Sequence, residues 1–221
     1  MIKNYIKGVF FDLDGTLLDT APDLLRACNY VLEKYQFPRV TIEEFRYYIS
    51  AGTESMICNS FKISTSYSQY LQIRKEFLDY YQQYLTISTS LFPNINKVLN
   101  YLDQTKILWG IVTGKSTDLA RPLLKYFSLD SKCHCLVGGD TISPGKPSPA
   151  PLLHACSLLN LLPTDCIYIG DEYTDVCAAK AAEMKAIAVT YGYASRSADP
   201  HQWNADFVIN SANDLLNLLS S

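Results

Sequence analysis

The sequence predicts an α/β fold: a parallel sheet with helices on both faces, carrying an inserted all-helical domain. Three observations predict it. Six short apolar runs rich in branched residues alternate with segments whose apolar residues recur at helical spacing. Such alternation makes a parallel sheet, because each crossover helix returns the chain to begin the next strand from the same end. Residues 18–88 break the alternation, with helical periodicity throughout and no strand pattern. Finally, 48% of the 221 residues are hydrophobic and 19% are charged, which is enough apolar material for a buried sheet and too little charge for a disordered chain.

The first strand is GVFF (8–11), a continuous apolar run of the kind buried on both faces. The insert follows. APDLLRACNYVLEKYQF, TIEEFRYYI, TESMICNSF and SQYLQIRKEFLDYYQQYL each read as a helix. Tyr47, Tyr48, Tyr67, Tyr70, Tyr80, Tyr81 and Tyr84 are expected to pack where those helices meet, with hydroxyls reaching water. The expected division is 1–17 with 89–221 as the sheet domain and 18–88 as the insert. From Phe92-Pro93 the alternation resumes with helix 94–104, strand ILWGIV (107–112), helix 116–127 and strand HCLVG (134–138). Helix 150–159, strand CIYIG (166–170), helix 173–182, strands AIAVT (186–190) and DFVIN (206–210) and helix 212–219 complete it. Sheets of this kind bind ligands at the carboxyl ends of their strands.

Four strand ends carry polar groups. GVFF runs into Asp12 and Asp14, two apart and so on one face, where like charges repel and burial is costly. Gly15 permits a sharp turn or a close backbone approach, and Thr16 adds a hydroxyl. The stretch echoes a calcium loop, but with Asp12 in first position the glycine falls fourth instead of sixth, after a strand-like run. LWGIV ends at Thr113 and Gly114, with Ser116 placed to cap the next helix, so a hydroxyl and exposed N–H groups make an anion site. Lys146 stands between Gly145 and Pro147, a restrained point charge. CIYIG ends at Asp171, with Asp175 four residues on, so the two acids approach each other in the first turn of a helix. Separately these read as a surface turn, a capped helix, a solvated lysine and an acidic first turn. Together they place Asp12, Asp14 and Asp171 around a hard cation, and magnesium (Mg2+) suits oxygen ligands while keeping water for a substrate phosphate. Thr113, Gly114 and Lys146 then supply donors to the other phosphate oxygens.

With DLDGTLLDT, IVTGK, GKPSPAPLL and GDEYTDVCAAKAA in that order, the chain resembles the haloacid dehalogenase superfamily over essentially its full length. LVGGDT, KPSPAPLLHA and AVTYGY are similar to its phosphoglycolate phosphatase subgroup. The resemblance implies a Rossmann-like core, a cap domain made by the helical insert, and a magnesium-dependent phosphatase. It implies Asp12 as the nucleophile that becomes phosphorylated, and Asp14 as general acid and base with its backbone carbonyl on the metal. Thr113 and the Gly114 N–H would hold phosphate oxygens, Lys146 would pair with nucleophile and phosphate, and Asp171 would ligate the metal with Asp175 in support. The substrate expected is a small phosphomonoester, 2-phosphoglycolate first, with sugar phosphates, nucleotides or pyrophosphate, or phosphosugar mutase chemistry, as alternatives. In the cap, Ser50, Gly52, Thr53 and Arg46 are the expected contacts to the leaving group. Relatives often carry glycine at the place of Ser50 and asparagine at that of Gly114, and Glu172 adds an acid beside Asp171.

Composition argues against other classes. A net charge of −3 offers no basic stripe for nucleic acid, and no apolar stretch approaches membrane-spanning length. MIKNYIKGVFFDLDG carries Lys7 inside its apolar region and no small-residue cleavage site, so a signal peptide is not expected. Seven scattered cysteines fit a reduced, cytoplasmic setting. Cys133-His134-Cys135 looks like a metal triplet but lacks further ligands at zinc spacing, and reads as the approach to a strand. The expected partner is a small phosphorylated metabolite, the protein acting as monomer or homodimer.

Overall fold

The computed structural model describes residues 6–193 and 198–220. In chain order its elements begin with β1 (Gly8–Phe11), β2 (Leu18–Asp19), α1 (Ala21–Lys34), α2 (Ile42–Ile49), α3 (Gly52–Phe61), α4 (Tyr70–Tyr84), β3 (Ser90–Leu91) and α5 (Ile95–Thr105). They continue with β4 (Leu108–Val112), α6 (Thr117–Tyr126), β5 (Leu136–Val137), α7 (Ala150–Leu159), β6 (Cys166–Gly170), α8 (Tyr173–Ala181), β7 (Lys185–Val189), β8 (Phe207–Ile209) and α9 (Ala212–Ser220). The chain divides into two compact units, Met1–Leu18 with Leu91–Ser221, and Asp19–Ser90.

In the first unit the six expected strands form one sheet in the order β5-β4-β1-β6-β7-β8, every neighbouring pair parallel. β1 lies inside, between β4 and β6. The chain runs outward to β5 on one side, crosses over, and runs outward from β6 to β8 on the other, so the winding reverses beside β1. Such a reversal opens a crevice at the carboxyl ends. Register makes those ends level, since Phe11 pairs with both Ile111 and Ile169.

β1 and β6 are buried along their whole length, as their unbroken apolar runs require. Phe10, Val112, Tyr168 and Ala186 on one face pack with Leu152 and Ala155 of α7 and Val176 and Ala179 of α8. Alternate strand residues face the other way, where α5 packs on β4, α9 on β8, and the two helices on each other. There the Trp109 ring meets Phe11 edge to face at 6.5 Å, and its indole N–H donates to Asp103 at 2.9 Å. A fully buried aromatic or branched side chain of this kind contributes about 1.5–3 kcal/mol over an exposed one.

The second unit packs α1 along α4, with α2 and α3 joined to each other and to α1. Pro22 and Asp23 open α1, and the Thr41 hydroxyl accepts the Glu44 N–H at 3.3 Å to cap α2. Leu24, Val31, Ile57, Phe61, Ile73 and Phe77 fill the centre. The expectation that the tyrosines pack between helices holds for buried Tyr70 and Tyr81, while Tyr67 and Tyr84 are exposed. Tyr80 of α4, half-buried, also meets the expectation, stacking across the helix contact on Tyr30 of α1 at 4.1 Å and leaning on Tyr84 at 4.7 Å, so that ring faces cover one another. Asp23 is a buried acid that pattern reading passed over. It accepts the N–H of Ser88 and Thr89 and the Thr89 hydroxyl at 2.8–3.0 Å and pairs with Arg26 at 2.8 Å.

Candidate active site

β1 delivers Asp12 to the crevice. Its N–H still bonds Ile169 O of β6 at 2.9 Å, so the backbone stays in the sheet while the chain prepares to leave. One carboxylate oxygen accepts the Leu13 N–H at 2.8 Å and lies 3.3 Å from Lys146 Nζ. The chain then turns on Leu13 O, which accepts the N–H of Leu17 and Leu18, while Gly15 N–H bonds Leu18 O at 2.9 Å. Gly15 has φ +82°, and a Cβ there would fall 2.3 Å from an Asp171 oxygen. Conformation and space both demand glycine.

Asp171 leaves the end of β6 and is 1% exposed. It accepts the Thr16 hydroxyl at 3.1 Å and the Tyr193 N–H at 2.7 Å. Asp175, equally buried, accepts Lys146 Nζ at 2.5 Å and the Glu172 N–H at 3.0 Å. Glu172, not Asp171, caps α8, forming a reciprocal capping box with Asp175. Asp171 is thereby left to face Asp12. Asp12, Asp171 and Asp175 each offer an oxygen within 4.8 Å of the others.

Burial and a facing carboxylate both disfavour the charged form of an acid, and two members of the cluster, Asp12 and Asp171, are raised. Burial is the main force pushing Asp12 up to about 6, against the attraction of Lys146 and helped by the charges of Asp175 and Asp14. Asp171 is held well above the usual carboxylate range by burial, then by Asp12 and Asp175. Burial alone would lower the Lys146 ammonium, but the Asp12 and Asp175 charges outweigh it and hold the group well above its ordinary value.

Sequence reading missed two members of this cluster. Tyr168 sits inside the apolar CIYIG strand, yet its hydroxyl accepts Lys146 Nζ at 2.9 Å and donates to Val112 O at 2.7 Å. It thus links the lysine to the strand that carries Thr113. A tyrosine within a buried run was the available signal, because its hydroxyl must find a partner. The second is Lys115, whose Nζ lies 3.0 Å from Asp14 Oδ2. The Asp14 carboxylate therefore turns to a lysine, while those of Asp12, Asp171 and Asp175 gather together.

Thr113 follows β4 directly. Its N–H bonds Val137 O at 2.9 Å, and its hydroxyl accepts the Lys115 N–H at 3.2 Å. An added Cβ at Gly114 would meet nothing within 4 Å. Ser116 takes the cap position of α6 but makes no capping bond through its side chain; Asp140 holds that helix end instead, accepting the Thr117 N–H and hydroxyl at 2.9 Å each.

The remaining expected residues lie in the second unit. Arg46, on α2, pairs with Asp19 at 2.9 Å. Ser50 ends α2, Gly52 opens α3 with φ +80°, and Thr53 is in its first turn. Cys133 donates to Cys135 O at 3.0 Å and the His134 ring lies against the Trp109 backbone, so the triplet borders the sheet. The acidic group that could hold a metal ion is the Asp12, Asp171 and Asp175 cluster among the described residues. No helix among the described residues is long and apolar enough to cross a membrane.

A family model described as haloacid dehalogenase-like hydrolase matches residues 9–189. A phosphoglycolate phosphatase of Xanthomonas campestris is 36% identical over 203 residues, covering 92% of this chain and 91% of that protein. An N-acetylmuramic acid 6-phosphate phosphatase of Pseudomonas putida is 32% identical over 216 residues, covering 98% and 97%. Among solved structures, a predicted phosphoglycolate phosphatase from Haemophilus somnus superposes with a TM-score of 0.89 at 26% identity, covering 97% of this chain and 98% of that one.

Proposed function

The chain belongs to the haloacid dehalogenase-like hydrolase family, and on that premise we propose that it hydrolyses a small phosphomonoester, 2-phosphoglycolate first, with magnesium and through a phosphoryl group carried on Asp12. The observation that carries this reading is the meeting of Asp12 with Lys146 at 3.3 Å and with buried Asp171 at the end of β1. A nucleophile, a cation and a metal-binding carboxylate there serve phosphoryl transfer.

The residues fit a magnesium ion. Buried acids sharing one lysine gain from a hard dication, and the all-oxygen set matches its preference. Asp12 and Asp171 would hold it with the Asp14 carbonyl, and Asp175 would support them. When bound, the ion offsets charge on the phosphate's nonbridging oxygens. Asp12 attacks phosphorus in line, forming the new O–P bond as the ester oxygen departs. Asp14 gives that oxygen a proton, then takes one from the water that cleaves the aspartyl-phosphate. Thr113, the Gly114 N–H and Lys146 hold the phosphate oxygens. The helical unit is assigned the part of a cap that excludes water and reads the leaving group, with Ser50, Gly52, Thr53 and Arg46 as its contacts.

A second substrate reading, N-acetylmuramic acid 6-phosphate, is favoured by the Pseudomonas relatives, which match 98–99% of the chain. A panel with magnesium decides: 2-phosphoglycolate, N-acetylmuramic acid 6-phosphate, sugar phosphates, nucleotides and pyrophosphate. The expected result is the highest kcat/KM on 2-phosphoglycolate. A higher value on any other member replaces the substrate, and no phosphate release from any phosphomonoester overturns the reading.

The buried acids also fix the pH dependence of stability without metal. The Asp12 carboxyl sits at about 6 in the folded protein against 3.8 ordinarily, so the unfolded chain releases this proton first. Stability therefore falls as pH rises from about 4 through about 6, and Asp171, also raised, extends the fall upward. Thermal unfolding in chelator is expected to show Tm declining from about pH 5 to about pH 8, with magnesium restoring it at the upper end. A Tm that climbs across this range in chelator contradicts the assignment.

A further inference from the structure

A lysine ammonium carries three N–H donors in a tetrahedral arrangement, so two bonds that are held fix the direction of the third. At Lys146 each donor has an acceptor in reach: Asp175 Oδ1 at 2.5 Å, the Tyr168 hydroxyl at 2.9 Å and Asp12 Oδ1 at 3.3 Å. The contact to Asp12 is the longest, so the other two set its direction. The Lys146 side chain is 11% exposed, which leaves the protein rather than water to hold these donors.

The tyrosine is held in its turn. Tyr168 belongs to β6 and Val112 to β4, with β1 between them. The hydroxyl spans that width and donates to Val112 O at 2.7 Å. A hydroxyl has a single proton to give. Asp175 Oδ1 is a second acceptor near it, at 3.3 Å, and the carbonyl is closer. With the proton on Val112 O, the lone pairs of the oxygen are left for Lys146. The ring lies in the same core cluster as Phe10, Leu152 and Val176, and close packing there keeps the hydroxyl in place. Packing alone asks only for an aromatic ring, and burying a hydroxyl costs free energy unless it is bonded. Here both of its bonds lead to the site, since Val112 directly precedes Thr113.

We propose that Tyr168 is a positioning residue for phosphoryl transfer: its hydroxyl holds the Lys146 ammonium so that the remaining N–H faces Asp12 and the phosphate bound there. The proposal rests on the phosphatase reading above. Tyr168 acts through the lysine and not on the substrate. Without the hydroxyl, Asp175 alone anchors the ammonium, which then turns about that bond and draws its third donor away from Asp12.

The test is a double-mutant cycle on kcat for p-nitrophenyl phosphate with magnesium, using Tyr168→Phe and Lys146→Met singly and together. Tyr168→Phe alone is expected to lower kcat roughly 10- to 100-fold, as misplacing a catalytic group does. In the Lys146→Met protein the same change is expected to cost less than about 2-fold, the margin within which uncoupled changes add. An equal fold loss in both backgrounds overturns the proposal, because the hydroxyl then serves the fold and not the lysine. Wild-type kcat in Tyr168→Phe overturns it as well. Replacement of Tyr168 by 4-aminophenylalanine separates the two bonds of the hydroxyl and decides the matter even if Tyr168→Phe does not fold. The amine still donates to Val112 O but accepts poorly from an ammonium, so a loss of roughly 10- to 100-fold is again expected, and wild-type kcat in this protein overturns the proposal. Wild-type kcat in Lys146→Met overturns it too, while the phosphatase reading stands. No phosphate release by the wild type from any phosphomonoester overturns that reading and the proposal with it.

Discussion

Asp12→Asn is expected to abolish turnover while leaving the fold intact, with phosphate release falling by on the order of 10⁴-fold or more on every phosphomonoester. Asparagine keeps the shape of the side chain and an oxygen for the Leu13 N–H, which now bonds the carboxylate at 2.8 Å. It removes the atom that would form the bond to phosphorus. The structural cost is small because the replaced charge was a strained one. Asp12 is pushed up to about 6 by burial, so its ionised form works against the folded state in the absence of metal. Lys146 keeps Asp175 as a partner at 2.5 Å. In chelator the variant is therefore expected to unfold at the same temperature as the wild type or higher, and to gain less from magnesium. Kinetics and thermal unfolding on the same preparation check both halves. Turnover near the wild-type rate would remove Asp12 from the role of nucleophile.

Lys146→Met is expected to harm both activity and stability. The ammonium lies between Asp12 at 3.3 Å and Asp175 at 2.5 Å and bonds the Tyr168 hydroxyl at 2.9 Å. Removing one partner of a buried ion pair leaves the other charge uncompensated, at a cost of about 3–5 kcal/mol. Loss of a preorganised positive group facing developing charge lowers kcat by roughly 10²- to 10³-fold. The stability loss should be largest at about pH 8 and shrink as pH falls toward 6, because Asp12 can then take up a proton. Urea unfolding in chelator at two pH values measures this. A loss under about 1 kcal/mol, the range of an exposed ion pair, would show that Lys146 does not compensate the buried acids.

These effects follow from features that differ in how legibly the sequence carries them. The strands and their ends were plain because buried parallel strands leave unbroken apolar runs: CIYIG matches β6 and GVFF matches β1 residue for residue. β2 and β3 are two residues each, too short to leave any period. The convergence of Asp12, Lys146 and Asp171 was readable because each sits at the end of such a run or in a restrained loop. Lys115 was not, although it stands within the quoted IVTGK. A lysine after a glycine usually extends into water, and only the fold shows that this one is enclosed against Asp14. Asp23 was hidden for a similar reason, since an acid in the first turn of a helix is ordinary until Ser88 and Thr89 return to bind it. Gly15 announced a turn, but the need for glycine also comes from Asp171, more than a hundred residues away.

The central claim is that Asp12 carries the phosphoryl group between two chemical steps. Acid quenching during turnover of 2-phosphoglycolate with magnesium, followed by proteolysis and mass spectrometry, tests it most directly. A phosphoryl group is expected on the peptide containing Asp12, removable by hydroxylamine as an acyl phosphate is, and absent from Asp12→Asn. A phosphoryl group trapped on another residue, or the same label on the Asp12→Asn protein, would contradict the account.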